Sequence, residues 1–102
     1  MANLVWTYRA TSDLNEIAEY IAFDNPAAAM RLAVRIYSHV EQLINHPMSG
    51  SIPSELPVSS EYRQIVEPPC RVFYKIEQDT IFIVHVLRSE RLLRPSHLED
   101  RD

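Results

Sequence analysis

The hydrophobic pattern of the first half of the chain is helical. After a short β-prone stretch at residues 4–6, apolar residues recur at intervals of three and four in two separate stripes. Such intervals place each stripe on one face of a helix. The first stripe consists of Ala10, Leu14, Ile17 and Ile21, and the second of Ala29, Leu32, Ala33, Ile36, Val40, Leu43 and Ile44. The pattern therefore predicts one strand followed by two helices.

Polar residues at the ends of the stripes indicate where the helices begin. Thr7 and Ser12 are both suitable N-caps for the first helix, and the spacing does not choose between them. Asn25 and Pro26 mark the start of the second helix, because Asn caps orphan amides and Pro fits the first helical turn. With so short a connection, the two helices are expected to form an antiparallel hairpin.

The second half of the chain has the two-residue alternation of strands. Strands are predicted at residues 62–66, 71–77 and 80–87, with breaks at Pro68-Pro69 and at Gln78-Asp79. The last strand is apolar almost throughout, which is typical of a central strand covered on both faces. Residues 47–61 contain prolines, serines and the only glycine, Gly50, and are predicted to form a long loop that could bind a partner.

These elements predict an α+β fold of two layers in the order β-α-α-β-β-β. The helical hairpin would pack on one face of a small, mainly antiparallel sheet and leave the other face open. Residues 1–94 would form a single domain, and residues 95–102 a charged C-terminal tail.

Composition restricts the classes of function. The chain has 102 residues, a formal net charge of −4 and one cysteine, Cys70. The charge argues against a protein whose main task is to neutralise nucleic-acid phosphates. One cysteine cannot form an internal disulfide, the histidines lack ligand-like spacing, and no apolar run could cross a membrane. We therefore expect a cytoplasmic protein with no membrane association, no metal and no cofactor.

The order and spacing of these elements resemble the RelE/ParE superfamily of toxins from type II toxin–antitoxin systems. The likeness extends over nearly the whole chain, to about Arg94. Its residues are Trp6-Thr7, Asp13-Leu14, Ile17, Tyr20-Ile21, His46-Pro47 and the strand segments 62–66, 71–76 and 83–87. The resemblance implies growth inhibition and a cognate antitoxin that binds the toxin. It also implies that DNA is contacted only through the antitoxin.

The resemblance leaves the target open, because members of the RelE kind are ribosome-dependent messenger endonucleases and members of the ParE kind poison DNA gyrase. Arg71 matches a phosphate-binding arginine of the nucleases. Their C-terminal Tyr or His has no counterpart, since the last tyrosine is Tyr74. A trio of Glu67, Arg71 and His85 is the remaining combination for acid–base catalysis, although His85 lies inside a strand.

The missing acid–base groups favour gyrase binding, with no catalytic residue. The nuclease is the alternative, and an inactive relative that only binds its antitoxin is a third hypothesis. The predicted target-binding residues are Arg63, Arg71, Arg88, Glu90, Arg91 and Arg94.

Overall fold

The computed structural model describes residues 2–98, and its elements follow the predicted order. They are β1 (Asn3–Trp6), α1 (Tyr8–Asp24), α2 (Pro26–Glu41), a 3-10 turn (Gln42–Ile44), β2 (Tyr62–Glu67), β3 (Cys70–Glu77), β4 (Thr80–Arg88) and a second 3-10 turn (Pro95–Leu98).

The four strands form one mixed sheet in the order β1-β4-β3-β2. β2, β3 and β4 are an antiparallel meander, whereas β1 runs parallel to β4, with Leu4 opposite Ile81 and Trp6 opposite Ile83. β4 is thus a central strand, as its apolar sequence predicted. Both α-helices pack on one face of the sheet, which confirms the two-layer α+β fold.

Side-chain caps set the ends of the helices. The Thr7 hydroxyl accepts a hydrogen bond from the amide of Ala10 at 3.2 Å and donates one to the carbonyl of Ile83 at 2.8 Å. Thr7, rather than Ser12, is therefore the N-cap of α1, and it also ties the helix to β4. Asn25 accepts from the amide of Ala28 at 3.0 Å, which is the cap predicted for α2.

The main core lies between the helices and the sheet. Both predicted stripes contribute to it, together with one face of each strand of the meander. Its fully buried side chains include Ile36, Val40, Val72, Ile81 and Ile83. Burial of the helical stripes against this face of the sheet is the largest favourable contribution to the folding of such a domain.

The opposite face of the sheet is covered, so the prediction of an open face was wrong. Phe73 is 0% exposed there, and it packs in a second cluster with Val84 and Leu87. Leu93 and Leu98, from the segment after β4, complete this cluster. Side chains of the meander strands therefore point alternately to two apolar faces. The helices cover one face, and the long loop and the C-terminal segment cover the other.

The loop at residues 47–61 is fastened to the sheet by specific contacts. Ser51 pairs with Gln64 of β2 through two backbone hydrogen bonds, and the buried Tyr74 hydroxyl donates to the carbonyl of Pro47 at 2.8 Å. That hydroxyl also accepts from the amide of Gly50 at 2.9 Å. A Cβ at Gly50 would lie 2.5 Å from the Tyr74 oxygen, so only glycine fits this close approach.

The chain remains packed as far as Leu98. Residues 95–98 were expected to belong to a charged tail, but they form a 3-10 turn whose Leu98 is buried. Leu93 and Leu98 act as apolar anchors that composition alone did not distinguish from a solvated segment. The rest of the predicted tail, residues 99–102, lies outside the described residues, and the domain limits of 1–94 stay a prediction.

Candidate functional site

Arg71, at the start of β3, is held in a bidentate ion pair with Glu55 of the long loop. Its two terminal nitrogens donate to the Glu55 carboxylate at 3.0 and 2.8 Å, and the two side chains are only 12% and 14% exposed. The same guanidinium donates to the carbonyl of Arg91 at 2.7 Å, while Glu55 accepts from the amide of Leu93 at 2.9 Å. Arg71 therefore joins the loop, the sheet and the C-terminal segment.

This environment strongly favours the charged form of Glu55. The hydrogen bond from Arg71 is the main reason that the pKa of Glu55 falls from 4.5 to about 2, although burial opposes the shift. The amide of Leu93 adds to the lowering. Arg71 thus uses both terminal nitrogens for contacts within the molecule, while its buried Nε has no hydrogen-bond partner among residues 2–98.

Arg63, on β2, is also engaged within the molecule. Its guanidinium donates to the carbonyls of Gly50 at 2.6 Å and Met48 at 3.5 Å, and the residue is half-buried. These bonds fix the beginning of the long loop. Arg63 thus contacts the beginning of the loop and Arg71 its middle, and the two do not form one phosphate-binding cluster.

Of the other four predicted residues, Arg88 ends β4 and the remaining three follow it in the next segment. Glu90, Arg91 and Arg94 are exposed, and Arg88 is partly exposed. Arg88 donates to the Glu90 carboxylate at 3.1 Å, and its guanidinium lies 5.9 Å from the centre of the Tyr20 ring on α1. We call these four residues, Arg88, Glu90, Arg91 and Arg94, the β4-end surface.

The trio of Glu67, Arg71 and His85 is not assembled. Glu67 pairs instead with Arg35 at 3.3 Å and with His39 at 3.0 Å, both on α2. Arg71 pairs with Glu55, and His85 pairs with Asp13 of α1. The sequence hypothesis of a nuclease centre built from these three residues was therefore wrong.

The pair formed by Asp13 and His85 was not expected. One oxygen of Asp13 accepts hydrogen bonds from Nδ1 of His85 and from the amide of Val86, the latter at 3.1 Å. His85 and Val86 both lie on β4 beyond Ile83, the last residue that pairs with β1. Nε2 of His85 is buried and has no hydrogen-bond partner among the described residues. No local pattern could have linked the two residues, which are 72 positions apart and meet only through the packing of α1 on β4.

His97 of the C-terminal turn covers His85, with ring centres 4.7 Å apart. Nδ1 of His97 accepts from the amide of Arg94 at 3.1 Å, and Arg9 donates to the carbonyl of His97 at 2.7 Å. The pKa of His97 is lowered, first by burial and then by the nearby His85, Arg9 and Arg94. The neutral imidazole is thus the form that suits the packed turn.

A cleft of about 540 Å³ opens beside this cluster, between α1, the end of β4 and the segment that follows. Its walls include Asp13, Glu16, Tyr20, His85 and Arg91. No group of three potential metal ligands occurs among residues 2–98, and in the same range no helix is long and apolar enough to cross a membrane. The walls of the cleft carry both acidic and basic side chains.

Comparison with known proteins identifies the family. Residues 4–93 match the model of the ParE toxin of the type II toxin–antitoxin system parDE. The chain belongs to this family. Toxin RelE2 of Caulobacter vibrioides is 33% identical to this ParE-family toxin over 92 residues, which are 90% of this chain and all of the relative.

The fold is shared with a solved structure of a chromosomal ParDE TA system from P. aeruginosa. The similarity has a TM-score of 0.74 at 23% sequence identity, and it covers 88% of this chain and 98% of the other. The ParE-family toxin therefore has the family's fold, and its sequence places it among the type II toxin–antitoxin toxins.

Proposed function

We propose that this ParE-family toxin inhibits growth by binding DNA gyrase, and that it does so without bond chemistry of its own. The observation that supports a binding role most directly is the β4-end surface, where four charged residues project from a packed segment. Charged residues in a fixed arrangement can provide both steering and specificity toward a large partner. The sheet arginines, by contrast, are engaged within the molecule.

Arg63 and Arg71 belong to the proposed target-binding set in a supporting role. Arg71 holds the carbonyl of Arg91, and through Glu55 it also holds the amide of Leu93. The position of the β4-end surface relative to the sheet therefore depends on Arg71. Arg63 supports the loop that carries Glu55.

A cognate antitoxin is the second partner that we propose. The solved structure of similar fold comes from a ParDE toxin–antitoxin system, and an antitoxin that folds on binding would stabilise so small a domain by mass action. With a net charge of −4, the toxin is a poor DNA ligand by itself. We therefore propose that it contacts DNA only through the antitoxin.

The gyrase proposal is tested with purified toxin in a DNA supercoiling assay. The wild-type protein should inhibit gyrase, and a variant with both Arg91→Ala and Arg94→Ala should inhibit much less. Arg31→Ala is the matched control, because Arg31 is an exposed arginine of α2 outside the β4-end surface. Undisturbed supercoiling at stoichiometric excess of toxin would refute the proposal.

Messenger cleavage on the ribosome is the second candidate function. Two observations favour it: the similarity to a toxin named RelE2, and the Asp13–His85 pair, whose orientation is that of a general base held by a carboxylate. Expression without antitoxin separates the hypotheses. Filamentation with DNA-damage signalling would support gyrase, rapid translation arrest with cleaved messages would support the nuclease, and unimpaired growth would support an inactive relative.

A further inference from the structure

We infer that the outer face of α1 is a docking groove for an arginine-bearing basic segment of a partner protein. The groove consists of Asp13, Glu16, Glu19, Tyr20, Phe23 and Asp24 of α1, with His85 at one end. We call it the α1 groove. It goes beyond the proposed function, since most of it lies on the helical layer and it would take a basic ligand, although Arg88, Glu90 and Arg91 of the β4-end surface also line one of its two clefts.

The α1 groove is formed by two adjoining clefts of about 540 and 650 Å³ that share Glu16 and Tyr20. Together the two clefts are lined by five carboxylates and two guanidinium groups. The second cleft contains three of those carboxylates and no basic group. None of its carboxylates forms an ion pair with residues in the described range 2–98. This charge balance favours a cationic ligand and disfavours a nucleic acid.

Two aromatic side chains project from the same face of α1. Tyr20 is 75% exposed and Phe23 is 90% exposed. Large aromatic side chains next to unpaired carboxylates are the composition that binds guanidinium groups, which stack on ring faces and pair with carboxylates. The protein's own Arg88 already illustrates the geometry, because its guanidinium lies 5.9 Å from the centre of the Tyr20 ring.

The imidazole of His85 supplies an independent indication of a ligand. Its side chain is 7% exposed, and Nε2 is buried without a hydrogen-bond partner among the described residues. Because Asp13 accepts hydrogen bonds from both Nδ1 of His85 and the amide of Val86, the proton of the neutral ring belongs on Nδ1. Nε2 is then a buried acceptor that is unsatisfied within residues 2–98, in a side chain that lines the first cleft.

The occupant is therefore a short basic segment with arginines on one face of a helix. One arginine would lie over Tyr20 and reach Glu16, and its neighbour would pair with Glu19 or Asp24. The apolar part of the segment would cover Phe23. Arginine suits this groove better than lysine, since only a planar guanidinium can stack on a ring and pair with a carboxylate at once.

The test is an NMR titration of the 15N-labelled full-length toxin with an alanine-based helical peptide that carries arginines on one face. Backbone shifts should concentrate on α1, and the Nε2 resonance of His85 should move. Tyr20→Ala should weaken binding by about two- to fivefold, the value of one exposed cation–π contact. Glu16→Gln combined with Glu19→Gln should weaken it by a similar or larger factor. Asp79→Asn, an exposed acid in the turn between β3 and β4, is the matched control and should leave affinity unchanged.

Three results would overturn the inference. The first is equal weakening by Asp79→Asn and by the α1 variants, which would mean diffuse charge attraction. The second is equal binding of a peptide with glutamine in place of every arginine. The third is a dimer of the toxin that Tyr20→Ala dissociates, which would assign the groove to a second copy of the chain. All four substituted positions are exposed, so each variant is expected to fold. The spectrum of the free variant, recorded before the titration, checks this.

Discussion

The ion pair between Glu55 and Arg71 should be a principal determinant of stability on the second face of the sheet. Glu55→Gln removes the negative charge and keeps the shape of the side chain. It leaves the Arg71 guanidinium, 12% exposed, without its partner, and it weakens the acceptor for the amide of Leu93. Removing one member of a buried pair costs about 3–5 kcal/mol, because the remaining charge is uncompensated.

The pKa of Glu55 gives a second measure of the same interaction. Its value of about 2 in the folded protein lies below the ordinary 4.5, and one pKa unit corresponds to about 1.4 kcal/mol. The shift is therefore equivalent to about 3–4 kcal/mol. Since the folded pKa is depressed, this stability is fully present above pH 4.5 and is lost as the pH falls toward about 2.

Urea unfolding followed by the fluorescence of Trp6 measures both effects. At neutral pH, Glu55→Gln should lower the free energy of unfolding by about 3–5 kcal/mol, and the variant should lose most of the wild-type decline in stability under acid. Glu61→Gln, an exposed carboxylate at the end of the same loop, is the control and should change stability by less than about 0.5 kcal/mol. A Glu55→Gln protein as stable as this control, with the wild-type acid response, would refute the reasoning.

Three further outcomes are expected. Tyr74→Phe leaves the amide of Gly50 and the carbonyl of Pro47 without their buried partner, so the free energy of unfolding should fall by about 1–3 kcal/mol, and faster amide exchange at Gly50 would locate the change. Asn25→Ala removes the cap of α2, and the same unfolding measurement should show a loss of about 1 kcal/mol. His97 must be neutral for Nδ1 to accept from the amide of Arg94. The pKa of His97 is lowered by burial and by the nearby His85, Arg9 and Arg94, and Asp13 opposes this lowering. The turn Pro95–Leu98 should therefore be most protected above pH 6.5 and lose protection as acidification protonates His97. His97→Asn, which keeps an acceptor and cannot titrate, should make hydrogen-exchange protection of the turn nearly independent of pH, and an unchanged acid response would contradict this.

The elements of the fold could be predicted from the sequence because their signals are local. Helical stripes, the Asn25-Pro26 cap and two-residue alternation each depend on neighbours within one or two turns of chain. The pairing of β1 could not be predicted, because a four-residue strand carries no information on its partner or direction. Its parallel position beside β4 places the chain reversal at Thr7, and that reversal brings α1 over the end of β4.

The candidate site was predicted less well, since its geometry depends on contacts between distant segments. The charged residues after β4 could be recognised by composition. Nothing in the sequence indicated that Glu55 would enter the sheet face and pair with Arg71, 16 positions away. The same limit concealed the Asp13–His85 pair and the cover that Leu93 and Leu98 give to Phe73.

Arg71 both pairs with Glu55 and donates to the carbonyl of Arg91, so a single substitution cannot measure its part in toxicity. Arg71→Ala alone would leave Glu55 buried without its partner, so a loss of toxicity could reflect either a lost target contact or a displaced C-terminal segment. Replacing both members, Glu55→Leu with Arg71→Met, removes the charges together, and such apolar exchanges of buried pairs are often neutral in stability. If this double variant folds stably and remains toxic, Arg71 makes no contact with the target. If it is equally stable but harmless, amide hydrogen exchange of residues 91–98 separates the two explanations, because Arg71 and Glu55 also hold Arg91 and Leu93. Exchange as in the wild type would mean that Arg71 acts on the target directly and that the supporting role proposed above is wrong, whereas faster exchange would mean that the C-terminal segment is displaced.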